Sequence, residues 1–345
     1  MMAGRIITQH FEEEHYKVLF NQQTGFFMRC EDEGYPEPVW SKHGPELLDI
    51  SISNYCEKGC DFCYRSSSRT GKHISLADYN YLLKQATGMG VFQIAIGGGN
   101  PNQHPNFIKI LETTIEAGIV PSYTTNGDGL TEEILEATAK YCGAMAVSFY
   151  PSNSFDYYKV LFRKIRDKGI KTNLHVIISN ETIDALEKLL SIAPEWLGYI
   201  NAVVFLNFKP VGRGKVKNKE LKVKAERAKD FFENLVGSNI KIGFDSCSIS
   251  GITQWMDVRP ELIESCEAAR FSAFISEDLK MYPCSFMSGT EMYGDLRRQS
   301  MLSIWQENEA FNRFRLDDLP ECCKMCARHR VCKGGCMLFP EINFC

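Results

Sequence analysis

The stretch Leu48-Asp49-Ile50-Ser51-Ile52-Ser53-Asn54-Tyr55-Cys56-Glu57-Lys58-Gly59-Cys60-Asp61-Phe62-Cys63-Tyr64 leads from an apolar alternation into three closely spaced cysteines. The alternation over residues 48–53 predicts a β-strand. Three thiolates within eight residues can converge on one soft metal centre, and four-iron clusters favour sulfur ligands. Zinc usually takes four ligands in a closed tetrahedron, and no fourth local Cys or suitably spaced His completes one. Cys56, Cys60 and Cys63 therefore read as ligands of a cluster with one iron left open.

Downstream, strand-like and helix-like patterns alternate. Candidate strands are 48–53, 92–96, 120–124, 144–149, 172–179 and 202–208, with a seventh at 240–244. Candidate helices are 76–87, 107–117, 132–140, 157–168 and 182–190, preceded by possible caps at Ser75, Asn106 and Thr131 and by Asn180. Six βα units predict an α/β fold with a parallel sheet, and periodicity alone allows a doubly wound sheet or a barrel. Either arrangement gathers functional groups in loops after the strand C-termini, where Cys56, Gly97, Asn126 and Ser148 stand. Before this core, residues 16–20 and 25–30 flank a polar turn and predict a hairpin. There is no helix–turn–helix pattern and too little chain here for a full peptide-recognition domain.

With 345 residues, 44% of them hydrophobic, the chain can fill one large domain with a small appendage. The formal charge of -4 gives no global attraction to nucleic acid or to an anionic membrane surface. No apolar run is long enough to span a membrane, and residues 1–15 contain no signal-peptide core, so the expected location is cytoplasmic. Cysteine departs from this ordinary composition: six of the 14 fall in the last 24 residues. In an intracellular chain of this length, that density reads as metal ligation rather than disulfides.

The Cys-x3-Cys-x2-Cys spacing after a first strand resembles the radical S-adenosylmethionine (SAM) superfamily. The resemblance implies a partial (β/α)6 TIM-like barrel whose open iron binds the amino and carboxylate groups of SAM. Reductive cleavage then gives a 5'-deoxyadenosyl radical that abstracts hydrogen. It further implies that Phe62 or Tyr64 shields the cluster or lines the adenine side. Gly97, Gly98, Gly99 and Asn100 resemble the family's glycine-rich segment at the SAM amino group, with an amide where many members carry a carboxylate. Thr125, Asn126, Ser148 and His175 are further candidates around the cofactor. Turn chemistry explains Thr125, Asn126 and Ser148 equally well, and His175 also reads as a lining histidine without a catalytic role.

The tail, Cys323-x2-Cys326-x5-Cys332-x3-Cys336 followed by Cys345, resembles the SPASM extension of radical SAM enzymes, which carries auxiliary four-iron clusters. By that resemblance Cys266, Cys284 and Cys336, with Cys247 as the available fourth ligand, hold one auxiliary cluster. Cys323, Cys326, Cys332 and Cys345 hold the other, making three [4Fe-4S] clusters in all. Cys247 is alternatively a substrate-facing thiol. Asp245, two residues before it, faces the same way if the strand persists, and then orients substrate or takes a proton; it reads equally as a strand-end aspartate capping the next turn. Cys30 and Cys142 read as small buried hydrophobes, and Cys322, bordering Cys323, as a competing ligand or a bystander. The basic stretch Lys209, Arg213, Lys215, Lys217, Lys219, Lys222 and Lys224 reads either as a solvated face or as a lure for an acidic leader peptide.

The expected division is 1–45 as an N-terminal extension, 46–238 as the barrel and 239–345 as the auxiliary-cluster domain. The resemblance implies oxidative modification of a ribosomally made peptide or protein, such as thioether or carbon–carbon crosslinking. Peptide epimerisation with Cys247 or Cys142 as hydrogen donor, small-molecule radical chemistry, and a noncatalytic iron–sulfur electron carrier are the alternatives. Implied partners are a peptide or protein substrate, a flavodoxin or ferredoxin-like reductant and a separate leader-recognition protein.

Overall fold

The computed structural model describes residues 6–235, 240–259, 262–316 and 321–344. Its main sheet contains β4 (Leu47–Ser53), β5 (Gln93–Gly98), β6 (Val120–Thr125), β7 (Ala144–Ser148), β8 (Thr172–Ile178), β9 (Ala202–Asn207) and β10 (Ile242–Phe244). These strands lie side by side in chain order, each parallel to the next. Helices α1 (Leu76–Gly88), α2 (Phe107–Glu116), α3 (Glu132–Tyr141), α4 (Phe155–Asp167) and α5 (Ile183–Ile192) make the successive crossovers. The alternation predicted this α/β parallel sheet, and the family resemblance its partial-barrel form, with a cysteine-rich C-terminal region.

The strand residues divide by face. On β4, Leu48, Ile50 and Ile52 are fully buried in the core shared with the helices, and on β8 Leu174, Val176 and Ile178 do the same. On the opposite face, small and polar residues Asp49, Ala95, Gly97, Ser122, Ala146, Ser148, Asn173 and His175 line the cavity beside the larger Leu47, Ile177 and Leu206. Barrel interiors are usually filled by bulky aliphatic layers. Small inward side chains leave this one hollow instead.

The crossover helices follow from their sequences. Ser75 and Thr131 accept the backbone N–H three residues on and cap α1 and α3, whereas Asn106 makes no such bond. Helix α4 starts two residues before the predicted 157, because Ser154 accepts from the Tyr157 N–H at 3.1 Å. Its Tyr158, Leu161, Phe162 and Ile165 form one buried stripe, each contributing roughly 1.5–3 kcal/mol of burial.

Three features lay outside the sequence expectation. The N-terminal hairpin is β2 (Tyr16–Asn21) with β3 (Phe27–Glu31), but β1 (Ile6–Phe11) joins it as a third antiparallel strand. Its Phe11, Tyr16, Val18 and Phe20 pack on Phe92 and Val120, at the N-terminal ends of β5 and β6. This small sheet thus sits at the end of the barrel opposite the cysteine loop. Second, β11 (Ser272–Ile275) runs parallel beside β4, and β12 (Lys280–Tyr282) and β13 (Gly294–Asp295) follow antiparallel. Third, β10 and β11 both belong to the main sheet, so the expected division after residue 238 falls within a continuous hydrogen-bonded structure. Arg29 ties all three regions, donating to Glu46 at 2.6 Å and Glu267 at 3.0 Å while stacking 3.5 Å over Phe271.

Candidate active site

The cysteine loop leaves the end of β4 and is fastened on several sides. Ser53 Oγ accepts from the Tyr55 N–H at 2.9 Å, and the Cys56 N–H donates to the Ser68 carbonyl at 3.0 Å. Arg213 clamps it from the loop after β9: Nε donates to the Cys60 carbonyl at 2.8 Å and Nη1 to the Ser67 carbonyl at 2.8 Å. Lys217 pairs with Asp61. The basic stretch is therefore only partly a solvated face. Lys215, Lys219, Lys222 and Lys224 are exposed, but Arg213 and Lys217 hold the loop and Lys209 is buried.

Cys56, Cys60 and Cys63 all line one cavity of about 1230 Å³. Burial pushes the Cys60 thiol above its ordinary pKa, and the charges of Cys63 and Cys56 push the same way against a hydrogen bond from Tyr150. Asn126 Nδ2 stands 3.8 Å from Cys56 Sγ. Phe62 stacks on Tyr150 with centroids 6.1 Å apart, and the half-buried Tyr64 meets Phe286 edge-on at 5.0 Å. Three thiols gathered on one cavity wall, with Cys60 raised by burial and by its two neighbours, are suited to a cationic centre.

Glycines 97–99 line the same cavity, and two of them are dictated by packing. A Cβ on Gly98 would lie 2.1 Å from the Ser53 carbonyl oxygen, and one on Gly99 2.0 Å from that of Tyr55. Gly98 also has φ +117°, a backbone that side chains rarely adopt. The end of β5 thus presses directly on the start of the cysteine loop. Asn100 is turned away from the cavity. It is fully buried, its Oδ1 accepts from the Asn126 N–H at 3.1 Å and lies 3.0 Å from Thr125 Oγ1, and its Nδ2 donates to the Asp128 carbonyl at 3.1 Å. The amide expected at the cofactor is spent on holding the turn. Thr125, Asn126, Ser148 and His175 do line the cavity. Burial lowers the pKa of His175 to about 4 despite the opposing pull of Asp245, so its imidazole is neutral at neutral pH.

The same cavity reaches a second cysteine group. Cys247, Cys266 and Cys284 line it, and Cys336 hydrogen-bonds to Cys247. Burial raises the Cys266 thiol to about 11, with Cys247 adding to the shift, and Cys284 is raised by burial and by Cys266. Accepting from Cys247 holds Cys336 below its ordinary value. Among the described residues no three or more His, Cys, Asp and Glu side chains are arranged to hold a single metal ion. A four-iron cluster asks for a different arrangement, its thiolates spread around a cube rather than drawn to one atom at about 2.3 Å. Both groups suit it in ligand type and in mutual electrostatic reach. Of the remaining set, Cys323 and Cys332 fall in the short helices Glu321–Lys324 and His329–Cys332, with Cys326 between them. Cys345 lies outside the described residues. Cys30 and Cys142 do not line the cavity.

Asp245 and Cys247 do not share a strand face. Strand β10 ends at Phe244, and Ser246–Ser248 turn into a 3-10 helix. Asp245 instead accepts from Ser248 Oγ at 2.8 Å and from the Asn207 N–H at 3.2 Å, and pairs with Lys209. Sequence reasoning missed Lys209 because basic neighbours follow it. Its place just after β9 was the available signal. It missed Asp49 as well, a cavity-lining carboxyl on β4 whose pKa burial raises to about 7 against the pull of Arg65.

Residues 50–193 match the Radical SAM superfamily, and residues 266–327 match an iron–sulfur cluster-binding domain of the SPASM type. The chain is a radical SAM enzyme. Mycofactocin maturase MftC of Mycolicibacterium smegmatis is 22% identical over 85% of this chain and 78% of its own. PqqA peptide cyclase of Ruegeria pomeroyi is 22% identical over 88% and 86%, and AdoMet-dependent heme synthase of Methanosarcina barkeri is 21% identical over 85% and 91%. Among solved structures, Streptococcus suis SuiB bound to precursor peptide SuiA covers 96% of this radical SAM chain and 95% of its own. Its TM-score is 0.74 at 16% identity, a likeness of fold. The two domains imply SAM and iron–sulfur clusters as cofactors. No helix among the described residues is long and apolar enough to cross a membrane.

Proposed function

We propose that this enzyme oxidatively modifies a ribosomally made peptide, with thioether or carbon–carbon crosslinking as the leading outcome. The observation that carries the reading is the single cavity of about 1230 Å³ that reaches both Cys56, Cys60 and Cys63 and the group of Cys247, Cys266 and Cys284. Small-molecule pockets are typically about 300–1,000 Å³, so a cofactor leaves space for a substrate segment. The curated relative named for peptide cyclisation and the fold shared with a peptide-bound structure support a peptide.

Cys56, Cys60 and Cys63 would hold the SAM-binding cluster, and Cys247, Cys266, Cys284 and Cys336 an auxiliary one. Cys323, Cys326, Cys332 and Cys345 would hold a third. Bound there, the cluster and SAM would supply the radical chemistry that removes one hydrogen atom from substrate. The chain's task is placement. Gly97, Gly98 and Gly99 admit close backbone approach, while Asn126 and Ser148 offer hydrogen bonds. Neutral His175 can donate or accept without bringing a charge. Asp245 is committed to Lys209 and Ser248, whereas Asp49 can hold or release a proton near neutral pH. In this reading the protein works in the cytoplasm with a flavodoxin or ferredoxin-like reductant and a separate leader-recognition protein.

The second reading, small-molecule radical chemistry, is favoured by the relative named as a heme synthase. A screen with deuterated peptides separates the readings. Deuterium in 5'-deoxyadenosine and a product two hydrogens lighter support the proposal. Unchanged mass with solvent hydrogen incorporated indicates epimerisation, and transfer only from a small molecule establishes the second reading.

A further inference from the structure

Lys209 is a buried cation in a cavity otherwise rich in thiols. It is 6% exposed, its Nζ pairs with Asp245, and the same atom stands 4.8 Å from the centroid of the Phe286 ring. Phe286 in turn meets Tyr64, the neighbour of Cys63. Lysine is seldom fully buried unless paired, and this one is fixed by a carboxylate and an aromatic face rather than left to wander.

The ion pair stands beside the second cysteine group. Lys209 and Asp245 line the cavity with Cys247, Cys266 and Cys284. Asp245 is two residues before Cys247, and Phe286, which the lysine ammonium faces, is two residues after Cys284.

We propose that Lys209 sets the reduction potential of the cluster held by Cys247, Cys266, Cys284 and Cys336, making it easier to reduce. The inference rests on the ligand assignment made under the proposed function. Taking up one electron adds one negative charge to the cluster. A nearby fixed cation stabilises that charge, and burial leaves it little screened by water. Net charge around a cluster is among the factors that set its potential. Lys209 is thus a positioning charge, and Asp245 is the charge that opposes it.

The test is an EPR-monitored redox titration of the reconstituted full chain. The auxiliary signal is identified by its loss in Cys266→Ala/Cys284→Ala. At the wild-type midpoint, Lys209→Met should lower the ratio of reduced to oxidised cluster about tenfold, a shift of about 59 mV to the negative for one electron. Lys209→Arg should stay within about threefold of wild type. Asp245→Asn, which removes the opposing charge, should move the midpoint to the positive. An unshifted Lys209→Met, or shifts of the same sign in Lys209→Met and Asp245→Asn, overturns the proposal. If Lys209→Met takes up no cluster, an Asp245→Asn midpoint that stays put or moves negative overturns it alone. Should Cys266→Ala/Cys284→Ala keep every iron and every signal, the ligand assignment fails as well.

Discussion

Lys209 and Asp245, 36 positions apart in sequence, form an ion pair inside the cavity beside Cys247. Removing one partner leaves the other charge buried without a counterion, which typically costs about 3–5 kcal/mol. Lys209→Met should therefore destabilise the reconstituted protein by about 3 kcal/mol in denaturant unfolding. The double variant Lys209→Met/Asp245→Asn should recover at least half of that loss. Additive losses would show that the two side chains do not act as a pair.

Asn100 is expected to matter to the fold more directly than to SAM. Asn100→Asp loses the donor to the Asp128 carbonyl and places a charge in a fully buried site. The cost should be about 2 kcal/mol in thermal unfolding without SAM. A variant of unchanged stability that loses only SAM affinity would return Asn100 to the cofactor.

Glycines 97 and 99 should respond differently to a methyl group. At Gly99 the added Cβ meets the Tyr55 carbonyl at 2.0 Å, whereas at Gly97 its nearest neighbour is Asp49 Oδ1 at 3.6 Å, an ordinary contact. Gly99→Ala should lower the melting temperature and iron retention together. Gly97→Ala should melt within a few degrees of wild type. Equal effects would mean that the close packing of β5 on the cysteine loop is not what selects glycine.

Asp49 gives a pH dependence of stability. Its folded-state pKa, about 7, lies above the ordinary 3.8, so the folded chain binds the proton more tightly. The stability it contributes is full below about pH 4 and is lost as pH rises through about 7. Asp49→Asn has no such loss. Relative to wild type, it should gain roughly 2 kcal/mol between pH 5.5 and pH 8.5. A flat difference across that range would place the carboxyl in contact with water or a counterion.

What the sequence revealed was local or periodic. Cys56, Cys60 and Cys63 are legible because their ligand spacing lies within eight residues, and β4 to β9 because apolar residues repeat along them. Strands β11 to β13 are two to four residues long and exist through pairing with distant partners, so no window of sequence announces them. Lys209 looked solvated because its neighbours in sequence are, whereas its charge is met by Asp245 at the end of the neighbouring strand β10. Asn100 followed the glycine run as the resemblance implied, yet the Thr125–Asn126 turn claims its amide. In each case a contact between elements decided the outcome.

The central claim is that one chamber joins two iron–sulfur sites, and iron content with EPR tests it most directly. The reconstituted full chain should contain about 12 irons, four for each of three clusters. Cys266→Ala/Cys284→Ala should contain about eight and keep an EPR signal that changes on adding SAM. Unchanged iron in the double variant, or loss of the SAM-responsive signal with it, would contradict the account.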